Sequence, residues 1–292
     1  MPWTKQRNSY NFPEKNYSGH AIISGGSSGI GLAVARDLIG SGWNLSLIAR
    51  TPSRLDEAKR QLERLHVKED QKVHIIAADV SDQDQAGNAI KSALHHLGTP
   101  DLLITSAGMA HPGYFEELPL EIFRDTMAIN YFGTLYLIKA ALPAMRDRGA
   151  GRIVMISSGT GLIGVFGYTA YSPTKFALRG LAESLRAEVK RDGIGISIVY
   201  PPDTDTPQLT AENRIKPVET RAISGKAKTW SVDDVTAVIL KGIRKGRFTI
   251  TPGWEITLLS VLHSLIGPSL FWYVDSVARK AALEEKKRML SS

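Results

Sequence analysis

The sequence predicts an α/β fold: a doubly wound parallel sheet of about seven strands, followed by a C-terminal apolar helical extension. Three observations lead there. Short apolar runs recur along the chain as HAIIS, NLSLIA, VHIIAA, DLLITS, RIVMIS, ISIVY and a weaker FTIT. Runs that are apolar throughout, rather than alternating, are typical of strands covered on both faces. Between them LAVARDLIGSG, RLDEAKRQLERL and QAGNAIKSALHHLG carry apolar residues at helical spacing, with glycine near several C-terminal ends. The third observation is a glycine-rich turn, SGGSSGIG, where the first apolar run meets the first helical stretch.

The bulk numbers set bounds. A chain of 292 residues with 43% hydrophobic content can fill one large core, and no internal repeat or linker divides it. One Rossmann-like domain is expected over residues 18–253, with an N-terminal arm at 1–17 and an apolar segment and charged tail at 254–292. The chain has no cysteine, which removes disulfides and thiolate metal sites and fits a reducing, cytoplasmic setting. Its opening residues are polar and lack the apolar core of a signal peptide. A net charge of +7 suits an anionic cofactor or a lipid surface. Neither zinc-finger spacing nor an aromatic RNA-binding motif accompanies it, so nucleic acid is not an expected partner. There is no HExxH, and His95-His96 reads as a solvated pair on a polar helix; no metal is expected.

The chemistry-bearing residues follow the strand order. Gly25, Gly29 and Gly31 let the turn after the first strand approach a pyrophosphate at a helix N-terminus. No lysine stands at the Walker position, which argues against a nucleoside triphosphate loop. The second strand ends in Ala49-Arg50. An acidic residue there would accept bonds from a free ribose 2′-hydroxyl, whereas Arg50, with Arg54 nearby, suits a 2′-phosphate and hence NADPH. Tyr171 and Lys175, in AYSPTKFAL, are four residues apart and share one helix face. A tyrosine of pKa about 10 is a poor proton shuttle at neutral pH. An ammonium about 4 Å away offers roughly 4 kcal/mol at an effective dielectric of about 20, equivalent to about three pKa units before desolvation opposes it. Ser158 lies thirteen residues before Tyr171, just past the strand RIVMIS, where its hydroxyl could hold a substrate carbonyl; Ser157 is the rival at the neighbouring position. Asn130 in MAINYFGT either carries a proton relay or is a buried, satisfied amide.

Together with Asp79-Val80 and Ser106-Ala107-Gly108, these residues resemble the short-chain dehydrogenase/reductase superfamily in order and spacing over nearly the whole sheet domain. That resemblance implies a dinucleotide on Ser24, Gly25, Ser27, Ser28, Gly29, Ile30 and Gly31, adenine beside Asp79 and Val80, and cofactor support from Ser106, Ala107 and Gly108. It also implies a catalytic set of Asn130, Ser158, Tyr171 and Lys175, with Tyr171 and Lys175 reaching the nicotinamide ribose and Pro201, Thr204 and Thr206 on the nicotinamide side. Three residues depart from the pattern: Ser24 replaces threonine, Ser106 asparagine, and Pro202 glycine.

Three longer blocks, GMAHPGYFEELP, FGYTAYSPTKFALRGLAESLRAEV and YPPDTDTPQLTAENRIKPVETRAISG, resemble the 3-ketodihydrosphingosine reductase family. The likeness implies NADPH-dependent reduction of the ketone of a long-chain keto-lipid, 3-dehydrosphinganine, to sphinganine, with residues 201–230 as a lid. Another hydrophobic ketone such as a steroid, or a non-catalytic NADPH-binding adaptor, are the competing readings. A homodimer or homotetramer is the expected assembly. The stretch ITLLSVLHSLIGPSLFWYV has no formally charged residue and is bracketed by Trp254 and Trp272-Tyr273. Gly267-Pro268 should split it into two pieces. Basic residues flank both sides, which favours a segment (254–274) dipping into one leaflet from the cytosolic face; a dimer-interface or core helix is the alternative.

Overall fold

A computed structural model describes residues 19–225 and 228–291, so the arm at 1–17 lies outside the described residues. Seven parallel strands form one sheet: β1 (His20–Ser24), β2 (Asn44–Ala49), β3 (Val73–Ala77), β4 (Leu102–Thr105), β5 (Gly151–Ile156), β6 (Ile194–Val199) and the two-residue β7 (Thr249–Ile250). Their spatial order is β3-β2-β1-β4-β5-β6-β7. The order reverses between β1 and β4, and the crevice at such a switch point, outside the carboxyl ends of the strands, is where doubly wound sheets bind ligands.

Alternation along each strand divides the core into two layers. Ile22, Leu103, Ile153 and Ile198 face α3 (Gln83–Leu97), α5 (Gly133–Arg148) and α6 (Ser172–Val189). Ile23, Leu47, Ile104 and Val199 face α1 (Gly29–Ile39), α2 (Pro52–Glu63) and α9 (Val232–Arg244). Both faces are therefore covered, as the uniformly apolar strand sequences require. Between β4 and α5 lie α4 (Leu120–Met127) and a π-helical turn, Ala128–Phe132. After β6 the chain makes an excursion through α7 (Pro207–Ile215) and α8 (Val218–Ser224) before α9.

The final element, α10 (Trp254–Ser291), corrects the expected break at Gly267-Pro268: it is one helix of 38 residues with Pro268 inside it. A proline forfeits one backbone hydrogen bond and crowds the preceding turn, yet the helix continues on both sides of it; α5 likewise contains Pro143. Among the described residues, no helix is long and apolar enough to cross a membrane. The first half of α10 nevertheless leaves Trp254, Val261, Leu265 and Trp272 each more than 70% exposed.

A buried histidine ties the sheet's amino end together. His20 Nδ1 donates to the Gly98 carbonyl at 2.8 Å, so in the neutral ring Nε2 is the acceptor from the Ser46 hydroxyl at 2.9 Å. Burial pushes the His20 pKa down to about 4, against opposing help from the Gly98 carbonyl and Asp101. In the unfolded chain the ring titrates near 6.5, so between those values the unfolded state binds the extra proton and stability falls as pH falls. This one residue should remove about 3 kcal/mol between pH 6.5 and pH 4. Urea midpoints measured across that range should drop more steeply for the natural chain than for His20→Gln.

Candidate active site

The loops at the carboxyl rim of the sheet enclose a cavity of about 760 Å3. One end is built by the turn between β1 and α1. Gly25 has φ +67°, and a Cβ there would lie 2.8 Å from the Ala107 amide nitrogen. At Gly31 a Cβ would lie 2.4 Å from the Gly25 carbonyl oxygen, so this glycine lets α1 sit tightly on its own turn. Gly25, Ser27, Ser28, Gly29 and Ile30 form the cavity wall at the start of α1. Ser24 and Gly31 do not; they stand behind it. Ser24 is buried, and its hydroxyl accepts from the amides of Ser106 and Ala107 at 3.2 Å, clasping the end of β1 to the end of β4.

Arg50 and Arg54 line the same end of the cavity, at the exit of β2 and the start of α2. Asp79 and Val80 flank them beyond β3; the Asp79 carboxylate accepts from the Ser81 amide at 2.9 Å and hydroxyl at 2.7 Å, which fixes that turn. Ser106, Ala107 and Gly108 line the floor past β4. A glycine cradle at a helix N-terminus with two guanidinium groups on its flank fits a phosphate-rich dinucleotide.

Midway along the cavity stand Ser158, Tyr171 and Lys175. The adjacent serines both border the cavity but differ in partners: Ser157 is buried and its hydroxyl donates to the Lys175 carbonyl at 3.2 Å. Ser158 starts a short 3-10 turn, its hydroxyl accepting from the Thr160 amide at 3.3 Å, and lies close enough to the Tyr171 phenol to lower its pKa. Tyr171 precedes α6, and Lys175 sits one turn further on, its Nζ 5.3 Å from the Tyr171 ring centre and donating to the Ile156 carbonyl at 3.1 Å. Asn130, in the π-helical turn, is 1% exposed and lies behind the wall. Its Oδ1 accepts from the Met109 amide at 2.8 Å, and its Nδ2 donates to the Met109 carbonyl at 2.9 Å and the Thr174 hydroxyl at 3.0 Å. The amide is a strut between the β4 exit loop and α6.

The electrostatics correct one expectation. Lys175 was expected to pull the Tyr171 pKa down; instead the phenol is pushed well above its usual value, by burial first and by the negative charge of Glu212 second, against hydrogen bonds from Ser158 and Gln208 that lower it. The same burial brings Lys175 down to about 8, with Glu212 acting the other way. A neighbouring cation lowers a phenol's pKa only while it outweighs the loss of water around the phenolate, and both groups are more than 90% buried here.

The excursion after β6 covers the cavity. Pro201, Thr204 and Thr206 line it; the Thr206 side chain caps α7, accepting from the Leu209 amide at 3.3 Å. The two ends of the excursion meet in a parallel bridge between Thr204 and Trp230. The Trp230 amide donates to the Asp203 carbonyl and the Asp205 amide to the Trp230 carbonyl, each at 2.9 Å. Further residues of the cavity wall escape sequence reasoning. Glu212 on α7, 7% exposed, accepts from the Tyr168 hydroxyl at 2.6 Å and from Gln208 Nε2 at 2.9 Å. The i,i+4 spacing of Gln208 and Glu212 was the only available signal. At the far wall Ile256 and Leu259 of α10 close an apolar margin.

Sheet order, glycine cradle and the Ser158-Tyr171-Lys175 group define a nucleotide-dependent oxidoreductase of the short-chain class. A family model described as short chain dehydrogenase matches residues 19–216, and the chain belongs to that family; with the fold, this carries binding of a nicotinamide cofactor. Among curated proteins it is similar to the 3-dehydrosphinganine reductase of Danio rerio, 40% identical over 88% of this chain and 77% of that one. It is 42% identical to the 3-ketodihydrosphingosine reductase of Bos taurus, over 85% of this chain and 75% of the other. Among solved structures, a short-chain dehydrogenase from Streptomyces avermitilis superposes with a TM-score of 0.75 at 27% identity, covering 90% of this chain and 98% of that one. Levodione reductase shares the fold, with a TM-score of 0.73 at 22% identity over 82% and 98% of the two chains.

Proposed function

We propose that this protein reduces the ketone of 3-dehydrosphinganine to sphinganine with NADPH. The observation that carries the reading is the continuity of the cavity: from the glycine cradle and Arg50 it runs past Ser158, Tyr171 and Lys175 to an apolar margin beneath the lid and α10. A dinucleotide and an apolar-chained ketone can therefore meet at one phenol. The relatives in animals carry names for this ketone reduction, and their similarity spans both the sheet domain and the excursion after β6.

In this reading residues 18–253 are the catalytic domain, with Gly25, Ser27, Ser28, Gly29 and Ile30 holding the pyrophosphate and Arg50 and Arg54 the 2′-phosphate. A nicotinamide cofactor held by these residues would supply hydride. Ser158 holds the keto oxygen by its hydroxyl, and Tyr171 gives that oxygen its proton. Lys175, whose pKa lies near 8, supplies a positive charge under the phenol ring as the proton leaves. Asn130, Ser24 and Gly31 act as positioning residues: Asn130 fixes α6 against the β4 loop, while Ser24 and Gly31 hold the cofactor turn in shape. The exposed apolar side chains of α10, among them Val261, Leu265 and Trp272, with basic residues on both flanks, suit a membrane surface from which a long-chain substrate is drawn.

Tyr171→Phe should lower kcat with 3-dehydrosphinganine by at least about a hundredfold while cofactor binding persists; near-normal turnover in an NADPH oxidation assay, run beside steroid ketones, would defeat the mechanism. Arg50→Asp should move the ratio of kcat/KM for NADPH over NADH toward NADH by about tenfold or more. In liposome flotation with anionic vesicles, the natural chain should float, and a Val261→Glu, Leu265→Glu, Trp272→Glu triple variant should remain at the bottom. Equal flotation would remove the membrane role of α10.

A further inference from the structure

The charges around the cavity are unevenly distributed. Arg50 and Arg54 stand at the cofactor end, where phosphates belong. On the excursion after β6, the wall holds the acidic residues Asp203 and Glu212. Asp203 is 3.8 Å from Lys216, whose side chain is 3% exposed. Glu212 is as buried as a core residue, yet among the described residues it forms no ion pair; its two oxygens are held by neutral donors, the Tyr168 hydroxyl and Gln208. Burying a carboxylate without a cation is unfavourable by several kcal/mol unless hydrogen bonds or a ligand compensate. Structural buried charges are usually paired within the protein. Here the carboxylate faces a cavity large enough for a ligand, and its two hydrogen-bond donors fix its orientation while adding no charge; the Lys175 ammonium acts on it only through space, without an ion pair.

We infer that Glu212 is the specificity-determining residue for the substrate's amino group, its carboxylate pairing with an ammonium on the carbon next to the ketone. The inference rests on the functional reading above, since 3-dehydrosphinganine is an α-amino ketone with its cationic nitrogen one carbon from the reacting carbonyl. The positions agree. Gln208 donates to Glu212 at 2.9 Å and is close enough to Tyr171 to influence its phenol, and Tyr168, the other donor to Glu212, has its ring centre 5.7 Å from that of Tyr171. A ketone oxygen at the Tyr171 hydroxyl thus brings its α-substituent to the Gln208-Glu212 side of the cavity. Binding also acts on the chemistry. Glu212 is the second-largest influence keeping the proton on Tyr171; an ammonium beside the carboxylate offsets that charge, so the correct substrate eases release of the proton it is about to receive. A neutral ketone of equal length gains neither effect.

The test compares 3-dehydrosphinganine with the same chain lacking the amine, 1-hydroxyoctadecan-3-one, using wild-type full-length protein and E212Q. The wild type should prefer the amine by at least about thirtyfold in kcat/KM, the scale set by a buried charge pair losing one member. In E212Q that preference should fall below about threefold, and Glu212→Asp should recover part of it. A merely structural role for Glu212 would lower both substrates together and leave their ratio unchanged, which would overturn the assignment. So would a wild type that reduces both ketones with equal efficiency, a result that needs no variant to fold. Reduction of neither ketone would overturn the functional reading and this assignment with it, whereas equal reduction of both overturns the assignment alone.

Discussion

The structure depends on all seven strands running the same way. A parallel sheet is stable only when both faces are covered, and the two apolar layers about it supply that cover. Once direction is uniform, every strand delivers its carboxyl end to one rim, and residues far apart in sequence converge there without further design. Ser24, Arg50, Asp79, Ser106, Ser158 and Pro201 all stand at or just past a strand end. The proposed catalytic group is a local consequence of the same rule: β5 exits at Ile156, the 3-10 turn places Ser158, and α6 returns along the sheet carrying Lys175 one turn past Tyr171.

Burial at that rim sets the chemistry. A lysine and a tyrosine enclosed together do not behave as an exposed pair would, because the loss of water acts on both and favours their neutral forms. The protein thereby keeps a phenol that holds its proton and an amine near its titration midpoint, a combination suited to giving up a proton only when a reacting oxygen arrives. Glu212 enters this balance from the lid. The cover over the pocket therefore influences the phenol electrostatically as well as sterically, and the two halves of the site cannot be tuned independently.

What the sequence disclosed follows from how local each feature is. The strands were visible because double burial writes itself as unbroken apolar runs, and the glycine turn because a close backbone approach tolerates no Cβ. The Tyr171-Lys175 spacing was visible because four residues are one helical turn. The sequence could not show that Asn130 uses its amide on Met109 and Thr174, since those partners come from two other elements. Nor could it show Tyr168 meeting Glu212, 44 positions apart. The Tyr171 expectation failed for a related reason: a pairwise Coulomb argument sees the lysine but not the wall around it. Gly267-Pro268 looked like a break because proline is judged by its immediate neighbours, while a long helix distributes one missing bond over many turns.

The Thr204-Trp230 bridge has a wider meaning than closing a loop. Because the excursion through α7 and α8 leaves and rejoins the sheet domain at one clasp, its length does not set the register of β6 or the seat of α9. Extra residues within it add only the weak, logarithmic cost of a longer loop. The chain thus has room for a longer or shorter cover between those two residues, provided that the contacts Glu212, Glu219 and Thr220 make with Tyr168, Tyr114 and Phe166 of the domain beneath are kept.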